Sequence, residues 1–84
     1  MNITELRELL TKELVTVTFT KKDGSNRIMR CTTMSEYAPE PSKTSVLSPT
    51  VVTVWDIEQD GWRSFRFDSI KSIETDYFNY VVES

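Results

Sequence analysis

The sequence predicts a mainly β protein, a small curled barrel with one helix at its N-terminus. Segments rich in β-branched and aromatic residues are separated by Asp-Gly turns at residues 23–24 and 60–61, which is typical of antiparallel hairpins. The chain has 84 residues, room for one core, and too few strands for a two-layer sandwich. We therefore expect residues 1–84 to form one domain whose curled sheet closes its own edges.

The first predicted element is a short amphipathic helix over residues 3–13. Leucines recur there and just beyond at helical spacing, at Leu6, Leu9, Leu10 and Leu14. Asn2 followed by Glu5 resembles a capping box, in which two side chains satisfy free backbone N–H groups of the first turn.

Residues 14–33 predict the first hairpin. The segment "VTVTFT" alternates, with valines and Phe19 on one face and threonines on the other. Asp23-Gly24 predicts a type I′ turn with positive φ at both central residues, and the return strand covers residues 27–33.

Three side chains of the return strand have predicted positions. Cys31 is expected in the core. Arg27 and Arg30 cannot share a face; we expect Arg27 to be solvated and Arg30 to join an outward basic surface.

The rest of the chain predicts a long loop and a second hairpin. Residues 34–49 hold all three prolines and no sustained period, so they are predicted to be irregular. Residues 51–57 and 62–67 are predicted as paired strands, and a short fifth strand is placed at residues 71–74. For the tail, residues 75–84, the pattern leaves a strand and a helical turn open.

The segment "WRSFRFD", residues 62–68, is the candidate functional segment. Alternation places Phe65 and Phe67 toward the core, and Trp62, Ser64 and Arg66 on the opposite side. A ring, a hydroxyl and a guanidinium fork in one row suit stacking on a base and binding a phosphate or carboxylate. These three residues, together with Arg30 of the first hairpin, form the predicted ligand-binding surface.

A purely structural interpretation of this row stays open. Trp62 would then cover the end of the barrel, and Ser64 would be only a small strand residue. Arg66 would form an ion pair with Asp68 or Glu58.

Composition argues against an enzyme. The chain has no histidine, which removes the commonest general base, and its lone Cys31 can form neither an internal disulfide nor a Cys/His zinc site. Asp56, Glu58 and Asp60 remain as reactive groups without a recognisable partner geometry. Arg63, on the core side of its strand beside the turn, is expected to be structural, and it either extends to water or pairs with a carboxylate such as Asp56 or Asp60. No metal or cofactor is predicted.

Charge and hydropathy narrow the expected partners. The net charge of −3 disfavours a general attraction to nucleic-acid phosphates, so any such binding should be local. No apolar run approaches the roughly 20 residues needed to cross a bilayer, and the first residues are acidic instead of forming a basic, apolar leader. We expect a cytoplasmic protein with no membrane contact.

The two hairpins, "VTVTFTKKDGSNRIMRC" and "VVTVWDIEQDGWRSFRFDSIKSIE", resemble the core of the WYL domain, most closely its small phage-encoded branch. The resemblance implies a five-stranded Sm-like, SH3-type β-barrel after a short helix. It also implies a ligand-sensing or nucleic-acid-binding module. At the family's namesake tripeptide this chain has Thr50-Val51-Val52, so the recognition properties of that tripeptide are not carried over.

These observations predict a non-enzymatic, phage-encoded binding module that acts on a host protein or process in the host cytoplasm. The alternative is a module that binds nucleotides or single-stranded nucleic acid. Self-association is also expected, because the threonine-rich face of the first strand and the aromatic tail leave edges and apolar groups exposed.

Overall fold

The computed structural model describes residues 1–39, 49–77 and 79–82. Its elements, in chain order, are α1 (Ile3–Leu10), β1 (Val15–Thr20), β2 (Asn26–Thr32), β3 (Val51–Asp56), β4 (Gly61–Arg66), a 3-10 turn (Phe67–Ser69), β5 (Ile70–Glu74) and β6 (Asn79–Val81). Within these residues the strands form one antiparallel sheet in the order β4-β3-β2-β1-β5-β6. The predicted mainly β class with one N-terminal helix is confirmed. Most of the predicted loop 34–49 lies outside the described residues.

The predicted five-stranded closed barrel is wrong in strand number and in closure. β6 adds a sixth strand by pairing with β5, with Ile73 opposite Tyr80. Among the described residues β4 and β6 end the sheet on opposite sides and do not pair with each other. β6 is three residues long and exposed, so it has no alternation of buried and exposed residues that would predict a strand. Its extended conformation depends on pairing with β5.

The helix depends on its cap and on burial. The side chain of Asn2 accepts a hydrogen bond from the Glu5 N–H at 2.8 Å, and the Asn2 N–H donates to Glu5 Oε1 at 3.1 Å, so the predicted capping box is confirmed. The helix ends at Leu10, earlier than predicted. Eight residues are too few for a stable isolated helix, and the complete burial of Leu6 and Leu10 in the core supplies the missing stability.

The turn between β1 and β2 differs from the predicted type I′. Only Gly24 has positive φ, at 89°, and Asp23 does not. The Gly24 N–H donates to the Lys21 carbonyl at 3.0 Å, and the Lys21 N–H donates to the Ser25 carbonyl at 2.7 Å, which defines a three-residue loop closed by a glycine bulge. Hydrogen bonds from the Ser25 hydroxyl and N–H lower the pKa of Asp23 and hold the loop in this form.

Cys31 lies in the core, as predicted. Its thiol is completely buried and lies 3.5 Å from the Val15 carbonyl, to which it donates. Burial, followed by the nearby charge of Asp56, raises the pKa of Cys31 from 9.0 to about 12.

We expect Cys31 to resist thiol reagents in the folded protein near about pH 8, because only the thiolate reacts. A pKa raised from 9.0 to about 12 lowers the thiolate fraction about 1000-fold. The rate of labelling by an aromatic disulfide, measured with and without denaturant, checks this. Fast labelling without denaturant would contradict it.

The raised pKa of Cys31 also links the free energy of unfolding to pH. Since the folded-state pKa is raised, the stability linked to protonated Cys31 is intact below pH 9.0 and declines as pH rises toward about 12.

Candidate functional site

Strand β4 separates core residues from outward ones as its alternation predicts. Phe65 is 5% exposed and stacks on Phe19, with ring centroids 5.1 Å apart and 14° between the planes. Its strand neighbours Ser64 and Arg66 are exposed. Phe67 lies in the 3-10 turn after the strand and packs, half-buried, against the core. The predicted inward orientation of the two phenylalanines is therefore confirmed.

The outward face of the β3–β4 hairpin carries an aromatic pair. Trp62 lies directly opposite Trp55, and the two indoles pack edge to face with centroids 5.5 Å apart and 80° between the planes. We call them the tryptophan pair; they are the two tryptophans of the chain. Both are half-buried, and Val54 and Asp56 on either side of Trp55 turn inward. Sequence reasoning missed Trp55, although pairing Asp56 with Gly61 across the turn would have found it.

Arg66 is already engaged by its own chain. Its Nε and Nη2 donate to the two carboxylate oxygens of Asp68 at 3.2 and 3.0 Å. Both side chains are about two-thirds exposed, so the pair contributes little to stability. The ion pair with Asp68, which the structural interpretation expected, is therefore present. A phosphate group would have to displace Asp68 to bind Arg66.

Asp56 does pair with an arginine, but with a different one from that expected. Its Oδ2 accepts from Arg27 Nη2 at 3.0 Å, and its Oδ1 accepts from the N–H groups of Glu58 and Gln59 at 3.0 and 3.1 Å. The prediction of a solvated Arg27 is wrong, and of the two alternatives for Arg63 the ion pair with this carboxylate does not form. Arg27 shares the inward face of β2 with Cys31, which lies opposite Asp56, so its long side chain reaches the carboxylate diagonally.

Arg63 is exposed at the edge of the sheet, on the same face of β4 as Phe65. Its Nη1 donates to the Trp62 carbonyl at 3.1 Å, and within the part of the chain that the structure describes it has no carboxylate at ion-pair distance. The guanidinium folds over Gly61, where an added Cβ would meet Nη1 at 3.1 Å. The unpaired guanidinium therefore lies on the face of β4 opposite to the tryptophan pair.

Arg30 lies apart from the β4 row. It is exposed on the outward face of β2. Along the neighbouring chain segment it lies beside Ile57, whose N–H donates to the Arg30 carbonyl at 3.2 Å. Arg66 instead lies opposite Val51, at the other end of β3. Positions 57 and 51 are six residues apart, or roughly 20 Å along the strand. Arg30 and Arg66, the two arginines of the predicted surface, therefore cannot bind the same phosphate group.

The surroundings of Arg30 are acidic and not basic. A groove of about 350 Å³ runs beside it, lined by Leu14, Thr16, Arg30, Glu74, Thr75 and Asp76. The predicted ligand-binding row is thereby divided between two places, the hairpin with Trp62, Ser64 and Arg66, and this groove.

Two reactive groups near the hairpin are engaged or buried by the fold. Both oxygens of Asp56 are occupied by structural donors, and the Cys31 thiol is buried with a raised pKa. In residues 1–39, 49–77 and 79–82, no three His, Cys, Asp or Glu side chains are grouped to hold a metal ion. The outward groups can stack on rings, donate hydrogen bonds and bind anions. The helix of the described chain is too short to cross a bilayer.

These features define a small β protein whose single antiparallel sheet packs on one helix and displays an aromatic pair on its terminal hairpin. The chain belongs to the WYL_2 family, described as an Sm-like SH3 beta-barrel fold, because the family's model matches residues 3–71. The resemblance of the two hairpins to the WYL domain is confirmed at this level. β6 lies beyond the matched residues. Comparisons with curated proteins and with solved structures gave no match.

Proposed function

We propose that this chain is a non-enzymatic binding module that engages a partner protein through the outward face of the β3–β4 hairpin. The observation that carries the proposal is the tryptophan pair, which lies on the outer surface instead of in the core. Tryptophan and arginine are enriched among the residues that dominate binding energy at protein interfaces. The indoles hold each other in place, so little side-chain entropy is lost when a partner covers them.

The setting of this function follows the resemblance to the small phage-encoded branch of the WYL domain. We propose that the protein is phage-encoded and acts in the cytoplasm of the host cell by binding a host protein. The exposed Ser64 and Thr53 lie opposite each other beside the tryptophan pair and offer hydroxyl groups around an apolar centre. An apolar centre with a polar rim is the usual anatomy of a protein interface.

Single-stranded nucleic acid or a nucleotide is the second candidate ligand. The observation in its favour is the outward indole of Trp62, which shares one face of β4 with the exposed Ser64 and Arg66. Stacking on an indole combined with a phosphate contact is a general mode of single-strand binding. The net charge of −3 opposes it, as does the ion pair that already occupies Arg66.

We expect Ser64→Glu to abolish partner binding while Thr4→Glu leaves it intact. Both positions are exposed and gain the same charge, but only Ser64 lies beside the tryptophan pair, where a carboxylate and its hydration shell would be trapped under the partner. Affinity capture from nuclease-treated host lysate with wild type and the two variants as baits measures this. A protein retained by wild type and Thr4→Glu and lost with Ser64→Glu is the expected result. Three identical sets of captured proteins would contradict the proposal.

The nucleic-acid alternative is tested separately with the intrinsic fluorescence of the tryptophan pair. Under that alternative, a single-stranded oligonucleotide changes the fluorescence near about 50 mM salt, and the affinity falls steeply as salt rises. No change at that salt concentration removes the alternative and leaves the proposed protein partner untouched.

A further inference from the structure

The outward face of β2, β1, β5 and β6 is an open surface separate from the tryptophan pair. Its side chains alternate with the buried Val17, Met29 and Ile73, which face the core. The strand registers arrange the outward side chains in two rows. One row is Ile28, Thr18, Ser72 and Val81, and the other is Arg30, Thr16, Glu74 and Asn79. We call this surface the outer face.

The outer face carries one positive and one negative group placed symmetrically about β1. Arg30 and Glu74 lie on opposite sides of Thr16, each one strand away, so their Cα atoms are about 10 Å apart. In the described chain neither takes part in an ion pair, although both line the groove beside Thr16. Each is left with a charge that a partner of opposite sign can satisfy.

The neighbouring row places apolar side chains at the two ends of the outer face. Ile28 is 71% exposed and Val81 is 63% exposed, and the small polar side chains of Thr18 and Ser72 lie between them. Single apolar side chains at this exposure are common on protein surfaces, so they add contact area to a partner but do not by themselves select one.

We propose that the outer face binds a second copy of this chain about a two-fold axis parallel to β1. This rotation exchanges the positions of β2 and β5, so Arg30 of each copy meets Glu74 of the other, and the contact is made twice. The same rotation brings Ile28 opposite Ser72 and within one strand spacing of Val81. The charge pattern therefore complements itself, which selects a second copy over an unrelated partner.

The size of the outer face sets the strength of the contact. Four strands are about 15 Å wide, and two rows of side chains cover far less than the roughly 800 Å² per partner of a stable complex. The dimer is therefore weak, and the fraction of chains in it rises with protein concentration. It uses none of the residues of the tryptophan pair, so it stands or fails independently of the proposed function.

Sedimentation equilibrium at protein concentrations up to about 1 mM tests the dimer. The mass of the wild type is expected to rise toward that of a dimer, and Arg30→Glu and Glu74→Arg are each expected to remain monomeric because each opposes like charges. Mixing these two variants is expected to restore a dimer, since every carboxylate at the two contacts then meets a guanidinium of the other copy. Arg66→Glu, on the far edge of the sheet, is the control and should dimerise like the wild type.

Three results would overturn the proposal: a wild type that stays monomeric throughout, charge variants that dimerise as the wild type does, or a mixture that stays monomeric. Thermal unfolding of each variant shows that it is folded before its mass is interpreted. If Arg30 and Glu74 formed an ion pair within one copy instead, the wild type would stay monomeric at every concentration, which is the first of these results.

Discussion

Asp56→Ala is expected to lower the free energy of unfolding by about 2 to 4 kcal/mol, and Asp68→Ala by less than about 1 kcal/mol. The two aspartates form ion pairs of the same length, with 3.0 Å between Nη2 of the arginine and Oδ2. Their side chains differ in exposure, at 2% for Asp56 and 67% for Asp68. Removing the buried carboxylate leaves Arg27 and two loop N–H groups without their acceptor, whereas water replaces the exposed one.

Urea unfolding of the two variants and the wild type measures this difference. A domain of this size has a total stability of about 5 to 10 kcal/mol, so Asp56→Ala leaves little margin, and Asp56→Asn serves where the alanine variant does not fold. Asn keeps an oxygen for the loop N–H groups but loses the charge that Arg27 needs, so an intermediate loss is expected. Equal losses for the variants at positions 56 and 68 would show that burial does not decide the strength of these pairs.

Phe65→Ala is expected to lower the free energy of unfolding by about 3 to 5 kcal/mol, the usual loss when a buried phenylalanine leaves a cavity. Phe65 is 5% exposed and loses both its stacking on Phe19 and its contact with the apolar core. Phe67→Ala is the matched control, with the same atoms removed from a half-buried position, and a loss of about 1 to 2 kcal/mol is expected.

Thermal unfolding separates these two variants clearly. Each kcal/mol corresponds to a shift of about 4 to 8 °C in Tm for a domain of this length, so Phe65→Ala should lower Tm by about 12 °C or more. A larger shift for Phe67→Ala than for Phe65→Ala would mean that β4 does not turn Phe65 into the core. The outward position of Trp62 and Ser64 would then be lost as well, because successive residues of a strand point to opposite faces.

The candidate site was predictable as far as strand periodicity reaches. Alternation along residues 62–67 separates Phe65 from Ser64 and Arg66, and the structure agrees. The arginines were not predictable in the same way. Arg30 and Arg66 belong to different hairpins, and only the pairing of β2 with β3 shows that they lie roughly 20 Å apart along the sheet. The same pairing, and no local pattern, brings Arg27 to Asp56.

The sequence by itself determined the helix, the strands of the two hairpins and the faces of β1 and β4. The Asn2 and Glu5 cap, the glycine at the first turn and the alternation of β1 and β4 depend on atoms a few residues apart, where backbone geometry and rotamer preferences act directly. Tertiary structure alone decided which charges meet, that β6 joins the sheet, and that the sheet ends at β4 and β6. Those outcomes depend on register between strands far apart in the chain, and burial then determines which of the resulting contacts stabilise the fold.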